Sequence, residues 1–315
     1  MRKFDFQDIN LIPRKCIVGS RSECDTTISL GKYVFKMPVV PANMECVINE
    51  EVAIKLAKEG YFYIYHRFNI NLVDFVLKMK SLNLYTSISL GVNEPDYDLL
   101  NLLKENDCIP DFITIDIAHG HSIKMKSMIN WISKNYPSVY IIAGNVSTSE
   151  AVKDLEVWGA NAIKVGIGPG SACTTYTATG FGSRNAQASV IEDCASVKNS
   201  AIIIADGGIK EPGDISKALV LGADMVMVGG MFSALTDSPG STVRGTDGQL
   251  YKEFWGSASA FQSGKTNRIE GTKKLLLLKN RSTLEEMNYL KECLQSAISY
   301  GGGNTLLDFK YVKYF

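Results

Sequence analysis

Eight short apolar runs, at 38–41, 61–65, 86–90, 112–115, 139–143, 162–165, 201–205 and 225–228, constrain this 315-residue chain more than any other feature. Stretches with helical spacing alternate with them, at 51–58, 72–80, 98–105, 124–135, 149–158, 186–198 and 212–221. A strand buried on both faces reads as a near-continuous apolar run, and parallel strands need a long crossover between them. The alternation therefore predicts a parallel sheet in the α/β class. Eight regular strand–helix units predict that the sheet closes into a single (β/α)8 barrel. An open doubly wound sheet is the alternative, but it seldom uses eight such units. Residues 1–37 read as an N-terminal extension with short strands at 26–29 and 33–36. The polar, glycine-bearing excursion at 237–272 reads as a functional loop or flap, and a last helix is expected at 284–299.

Composition excludes several classes of function. Lys plus Arg and Asp plus Glu both number 33, so no net charge favours nucleic acid or a membrane surface. The first eight residues carry acidic groups where a secretion signal needs an apolar stretch, and no run of about 18 apolar residues exists to span a bilayer. Seven cysteines are scattered without a CxxC pair, which suits neither a disulfide framework nor zinc. A reducing cytoplasm with free thiols is the simplest reading.

Barrels carry their chemistry at the carboxyl ends of the strands. Here those ends hold Asn43-Met44, His66-Arg67, Asp116-Ile117-Ala118-His119-Gly120-His121, Gly144-Asn145, Asp206-Gly207-Gly208 and Gly229-Gly230. The sixth run empties into Gly166-Ile167-Gly168-Pro169-Gly170-Ser171-Ala172-Cys173-Thr174-Thr175. Alternating glycines let a backbone approach another group closely and present its amides and carbonyls, and a cysteine at the end of such a loop is placed as a nucleophile. Taken alone, the loop fits equally well a surface turn with a packed thiol behind it. Glycine pairs after the seventh and eighth strands are where barrels hold phosphate. Asp206 before one such pair suits the two hydroxyls of a ribose, although a lone Asp there more often caps a turn. No GxGxxG with a downstream acid opens a βαβ unit, so a dinucleotide would have to bind in a barrel cleft.

The segment 166–175, with Asp206-Gly207-Gly208-Ile209 and Gly229-Gly230, resembles the inosine-monophosphate dehydrogenase / GMP reductase family. Asp116-Ile117-Ala118-His119-Gly120-His121-Ser122, Ile142-Ala143-Gly144-Asn145-Val146, Ser238-Pro239-Gly240 and Ile298-Ser299-Tyr300 are similar to its reductase branch in the bacterial form. The dehydrogenases usually carry a regulatory domain inserted after the second strand, whereas here Tyr65-His66-Arg67-Phe68 runs straight into the next helix. Their flap also holds an Arg-Tyr pair that activates water, and 256–270 contains Arg268 without such a pair.

This resemblance implies NADPH-dependent, irreversible reductive deamination of GMP to IMP and ammonia, through a covalent thioimidate on Cys173, in purine interconversion and salvage. It implies that Thr175 and Glu270 relay the proton. It places the phosphate on Gly207, Gly208, Gly229, Gly230 and Ser171, the ribose on Asp206, and the base near Met44, Gly256, Ser257 and Ala258. It places the dinucleotide along Asp116, Ile117, Ala118, Gly166 and Ile167, with Ser20, Arg21, Arg67 and Arg268 near its phosphates. The carbonyls of Gly168, Gly170 and Cys173 would hold a monovalent cation, usually potassium, and the assembly would be a cytoplasmic homotetramer. His119 and His121 read as positioning residues near the cofactor, with a buried structural role as the other possibility. Tyr176-Thr177-Ala178 and Ser183-Arg184-Asn185-Ala186 depart from the family's pattern. Two other readings stay open: a dehydrogenase without the inserted domain, and a non-catalytic purine-nucleotide-binding barrel.

Overall fold

The computed structural model describes residues 3–264, 267 and 269–315. A hairpin of β1 (Ile28–Leu30) and β2 (Tyr33–Phe35) precedes the repeating units. They begin with β3 (Val39–Pro41), α1 (Glu50–Lys58) and α2 (Leu72–Ser81). Next come β4 (Ser87–Leu90), α3 (Glu94–Glu105), β5 (Phe112–Asp116), α4 (Ile123–Asn135), β6 (Tyr140–Val146), α5 (Ser149–Trp158) and β7 (Ala162–Val165). A short α6 (Thr175–Thr179) and α7 (Gln187–Ala195) lead to β8 (Ile202–Asp206), α8 (Pro212–Val220), β9 (Met225–Val228) and α9 (Gly230–Ser233). The parallel sheet runs β3-β9-β8-β7-β6-β5-β4. With the helices around it, this sheet is the (β/α)8 barrel that the alternation predicts.

One expected strand is absent from the ladder. The run 61–65 touches its neighbour through a single parallel bridge, Tyr65 to Ile88. Tyrosine hydroxyls take the place of the missing backbone bonds. The Ser87 amide donates to Tyr63 Oη (3.2 Å), and the Tyr63 amide donates to Tyr85 Oη (3.2 Å). Tyr63 and Tyr85 in turn donate to the carbonyls of Tyr85 and Tyr61. Rings inserted between two strands hold them too far apart for a regular ladder, and their hydroxyls accept the Ser87 and Tyr63 amides in its place. Packing still joins this run to the barrel interior, where Phe62 and Ile64 meet Val40, Phe112, Ile142, Ala162, Ile204 and Met227. Each such fully buried side chain contributes on the order of 2 kcal/mol. Leu30 and Phe35 of the hairpin join the same cluster and close the amino-terminal end of the barrel.

The helices follow their local signals. α5 starts at Thr148, whose hydroxyl accepts the Ala151 amide, and stops at Gly159 with φ +113. It buries Ala151, Val152 and Leu155 on one face.

After the barrel, the expected polar loop is partly a sheet. β10 (Thr242–Arg244), β11 (Leu250–Trp255) and β12 (Lys273–Leu277) pair antiparallel, with a four-residue α10 (Ala260–Ser263) between the last two. The disguise is Lys252, which is buried and donates to the carbonyls of Ser238 (2.8 Å) and Gly240 (2.9 Å). α11 (Thr283–Tyr300) closes the fold, one residue longer at each end than expected. No helix among the described residues is long and apolar enough to cross a membrane.

Candidate active site

A cleft of about 1110 Å³ opens at the carboxyl ends of the barrel strands. That is large for a single small molecule and sufficient for a nucleotide with part of a second ligand beside it. Its walls come from the loops after β3, β5, β6, β7, β8 and β9, and from the sheet and loop at 254–277.

The β7 loop leaves the barrel through Gly166. Its φ is +144, and a Cβ there would stand 2.0 Å from the Asp206 carbonyl oxygen. Gln187 then binds the two strand exits together, donating from Nε2 to the carbonyls of Val165 (2.9 Å) and Asp206 (3.2 Å). With its root fixed, the loop turns so that the Cys173 amide donates to the Gly170 carbonyl (3.0 Å). The segment before β12 clasps the loop from outside: Thr174 donates to the Glu270 carbonyl (2.9 Å) and Thr272 to the Ala172 carbonyl (2.8 Å).

That clasp brings three separated side chains into line. Cys173 Sγ donates to Thr175 Oγ1 (3.2 Å), and Thr175 Oγ1 donates to Glu270 Oε2 (2.6 Å). All three residues are half-buried and line the cleft. A thiol connected through a hydroxyl to a carboxylate is a nucleophile with a path for its proton. Of the seven thiols, all free, Cys173 is the one that lines this cleft among the described residues.

The remaining site residues named from the sequence divide cleanly. Met44, Arg67, Asp116, Ile117, Ala118, Gly166, Ile167, Gly168, Gly170, Ser171, Asp206, Gly207, Gly208, Gly229, Gly230, Gly256, Ser257 and Ala258 all line the same cleft. Ser20 and Arg21 do not. Ser20 caps a single turn by accepting the Ser22 amide, and the Arg21 guanidinium lies 5.5 Å from the Tyr300 ring centre, on the side of α11. Arg268 lies outside the described residues. His119 and His121 also stay out of the cleft: its lining on this loop ends at Ala118, and beyond it the Gly120 amide is held by the Asn145 carbonyl (2.7 Å). His121 pairs instead with Asp154 of α5 (2.8 Å). In the departing segment, Arg184 donates to Thr177 Oγ1 (3.3 Å), and both residues line the cleft.

Sequence reasoning missed the floor of the site. Lys164, 2% exposed and in the middle of β7, places its Nζ 2.6 Å from Asp116 Oδ1 and 3.2 Å from Asp206 Oδ2. Asn43 Nδ2 donates to Asp116 Oδ2 (3.1 Å). Asn145 Nδ2 donates to Asp206 Oδ2 (2.7 Å) and to the Gly166 carbonyl (2.7 Å). Burial alone would drive the proton off Lys164, but the two carboxylates outweigh it and hold the ammonium above the ordinary lysine range. Burial would likewise raise Asp116. Lys164 above all, helped by Arg67 and Asn43, keeps it below the usual carboxylate range. The signal was a charged residue at the third position of Ala162-Ile163-Lys164-Val165, an otherwise apolar strand. Asn145 Oδ1 is buried without a protein partner among the described residues, so an acceptor remains at the base of the cleft.

Comparison with known proteins agrees with this geometry. Residues 3–311 match the model of the IMP dehydrogenase / GMP reductase domain. The GMP reductase of Albidiferax ferrireducens is 50% identical over 316 residues, spanning all of this chain and 96% of the relative. Those of Mesoplasma florum and Pediococcus pentosaceus are each 49% identical over 315 residues, again across the whole chain and 98% and 96% of the relatives. A family match across almost the entire barrel, with the Cys173 loop and both glycine pairs in one cleft, leaves a single assignment: the chain belongs to the IMP dehydrogenase / GMP reductase family.

Proposed function

We propose that this chain is a cytoplasmic GMP reductase, converting GMP irreversibly to IMP and ammonia at the expense of NADPH in purine interconversion and salvage. The observation that carries the reading is the hydrogen-bonded line Cys173–Thr175–Glu270 at the wall of a nucleotide-sized cleft. Relatives bearing that name along the full chain support it.

In this reading the base of GMP lies against Met44, Gly256, Ser257 and Ala258, and its ribose reaches Asp206. The phosphate meets the backbone of Gly207, Gly208, Gly229 and Gly230 and the Ser171 hydroxyl. Cys173 gives its proton to the Thr175–Glu270 pair and adds to carbon 2 of the guanine. The same pair returns a proton to the exocyclic amine, which departs as ammonia and leaves a thioimidate on Sγ. A threonine hydroxyl is too weak an acid to act alone, which is why the carboxyl at 2.6 Å matters. Bound NADPH supplies a hydride to that carbon, and Cys173 leaves as thiolate when IMP forms.

The wall at Asp116, Ile117, Ala118, Gly166 and Ile167 fits a dinucleotide. The exposed Arg67 beside Asp116 offers a cation to its phosphates. The carbonyls of Gly168, Gly170 and Cys173 are assigned to a potassium ion that orders the loop. A homotetramer without an inserted regulatory domain completes the reading.

Cys173→Ala tests the covalent scheme. It should bind GMP as before and lose GMP-dependent NADPH oxidation entirely. A variant that still consumes NADPH with GMP removes Cys173 from the chemistry.

A further inference from the structure

Among the described residues, Lys164 is the one buried cation of the cleft, and the reaction scheme leaves it without a task. Its surroundings are built for it. Gly144 on the adjacent strand has no side chain, and a Cβ there would lie 2.6 Å from the Lys164 Cβ. The lysine stem fills that space and carries the ammonium to the point where β5 and β8 end. There it binds Asp116 on one side and Asp206 on the other, while Asn43 holds the second oxygen of Asp116 and Asn145 donates to the same Asp206 oxygen that the ammonium meets. Under the reading above, Asp116 belongs to the dinucleotide wall and Asp206 to the nucleotide ribose.

We propose that Lys164 is a positioning residue that couples the two ligand sites, its single ammonium orienting the carboxylate of each half of the cleft. The inference rests on the assignment of those two halves. One ammonium bound to two carboxylates ties the position of each to that of the other. A ligand that fixes Asp206 against its ribose therefore fixes the ammonium, and through it Asp116. The second ligand then meets a carboxylate already in place, so each ligand tightens the other's binding by the same factor. A lysine kept only to fill the barrel would stabilise the fold without producing this reciprocity.

The test measures binding in the Cys173→Ala background, where no turnover intervenes. GMP is titrated with and without saturating NADP+, and NADP+ with and without GMP. With Lys164 present, each ligand should lower the other's dissociation constant by at least about fivefold. In Lys164→Met both ligands should still bind, with constants independent of each other, and Lys164→Arg should restore the coupling. Should Lys164→Met fail to fold, Lys164→Gln keeps a neutral donor on a shorter stem, and it should abolish coupling while each ligand alone still binds. Binding of both ligands without reciprocity in the Lys164 protein, or coupling that survives Lys164→Met or Lys164→Gln, overturns the inference alone. Failure of the Cys173→Ala protein to bind GMP at all overturns the functional reading and the inference with it.

Discussion

Acidifying the protein toward pH 5 should destabilise it through one residue, His66. This imidazole is 3% exposed and sits between the rings of Tyr65 and Phe68, 4.9 Å and 6.2 Å away. Its Nδ1 accepts the Phe68 amide (3.1 Å), which requires that nitrogen to be unprotonated. Burial pushes the imidazole down to about 4, and the opposing pull of the Glu45 carboxylate is smaller. An unfolded histidine titrates near 6.5, so below that pH the unfolded chain takes up a proton that the folded chain refuses. Stability is therefore complete above pH 6.5 and declines as the pH falls toward 4. Between pH 7 and pH 5 the loss through this residue is about 2 kcal/mol. For a chain of this length that corresponds to a fall of about 3 °C in Tm. His66→Asn supplies an uncharged acceptor for the same amide and cannot titrate in this range. Thermal melts of both proteins at pH 7 and pH 5 should show the parent losing about 3 °C more than the variant. Equal losses in the two proteins would refute a buried, neutral His66.

Three further substitutions probe the barrel and the relay. Glu270→Gln should lower kcat by about 10²- to 10⁴-fold while the affinity for GMP holds, since it removes the carboxylate that Thr175 donates to; steady-state kinetics with a parallel binding titration separates the two effects. Gly166→Ala drives a methyl group into the Asp206 carbonyl at a backbone angle that L side chains avoid, so denaturant titration should show a loss of at least about 2 kcal/mol. Tyr63→Phe leaves the buried Ser87 amide without its acceptor and should cost about 1–3 kcal/mol in the same assay, with GMP binding unchanged.

The parts of this protein that could be read from its sequence are those in which a local pattern and the tertiary environment ask for the same residues. β7 and α5 fall where expected because an apolar run and a Thr-to-Gly capped periodic stretch are each sufficient alone. The Cys173 loop was legible because its glycines are needed for backbone geometry, and geometry leaves a mark in composition. The Tyr61–Tyr65 run carries the apolar signature of a strand, yet tyrosine hydroxyls replace its ladder, and no pattern in a single segment reports a ring lodged between two others. Lys252 and Lys164 misled for one reason: a lysine reads as solvent-facing until its partners are known, and those partners lie at least twelve residues away. For Ser20 and Arg21 only the resemblance speaks, and within this chain they form a capped turn beside α11.

The most direct test of the central claim follows three quantities together in one reaction of purified protein with GMP and NADPH. NADPH oxidised, ammonia released and IMP formed should rise in equal amounts, and all three should vanish in Cys173→Ala. NADPH that stays reduced in the presence of GMP, with NADH appearing instead from IMP and NAD+, would contradict the account and place the chain on the dehydrogenase side of its family.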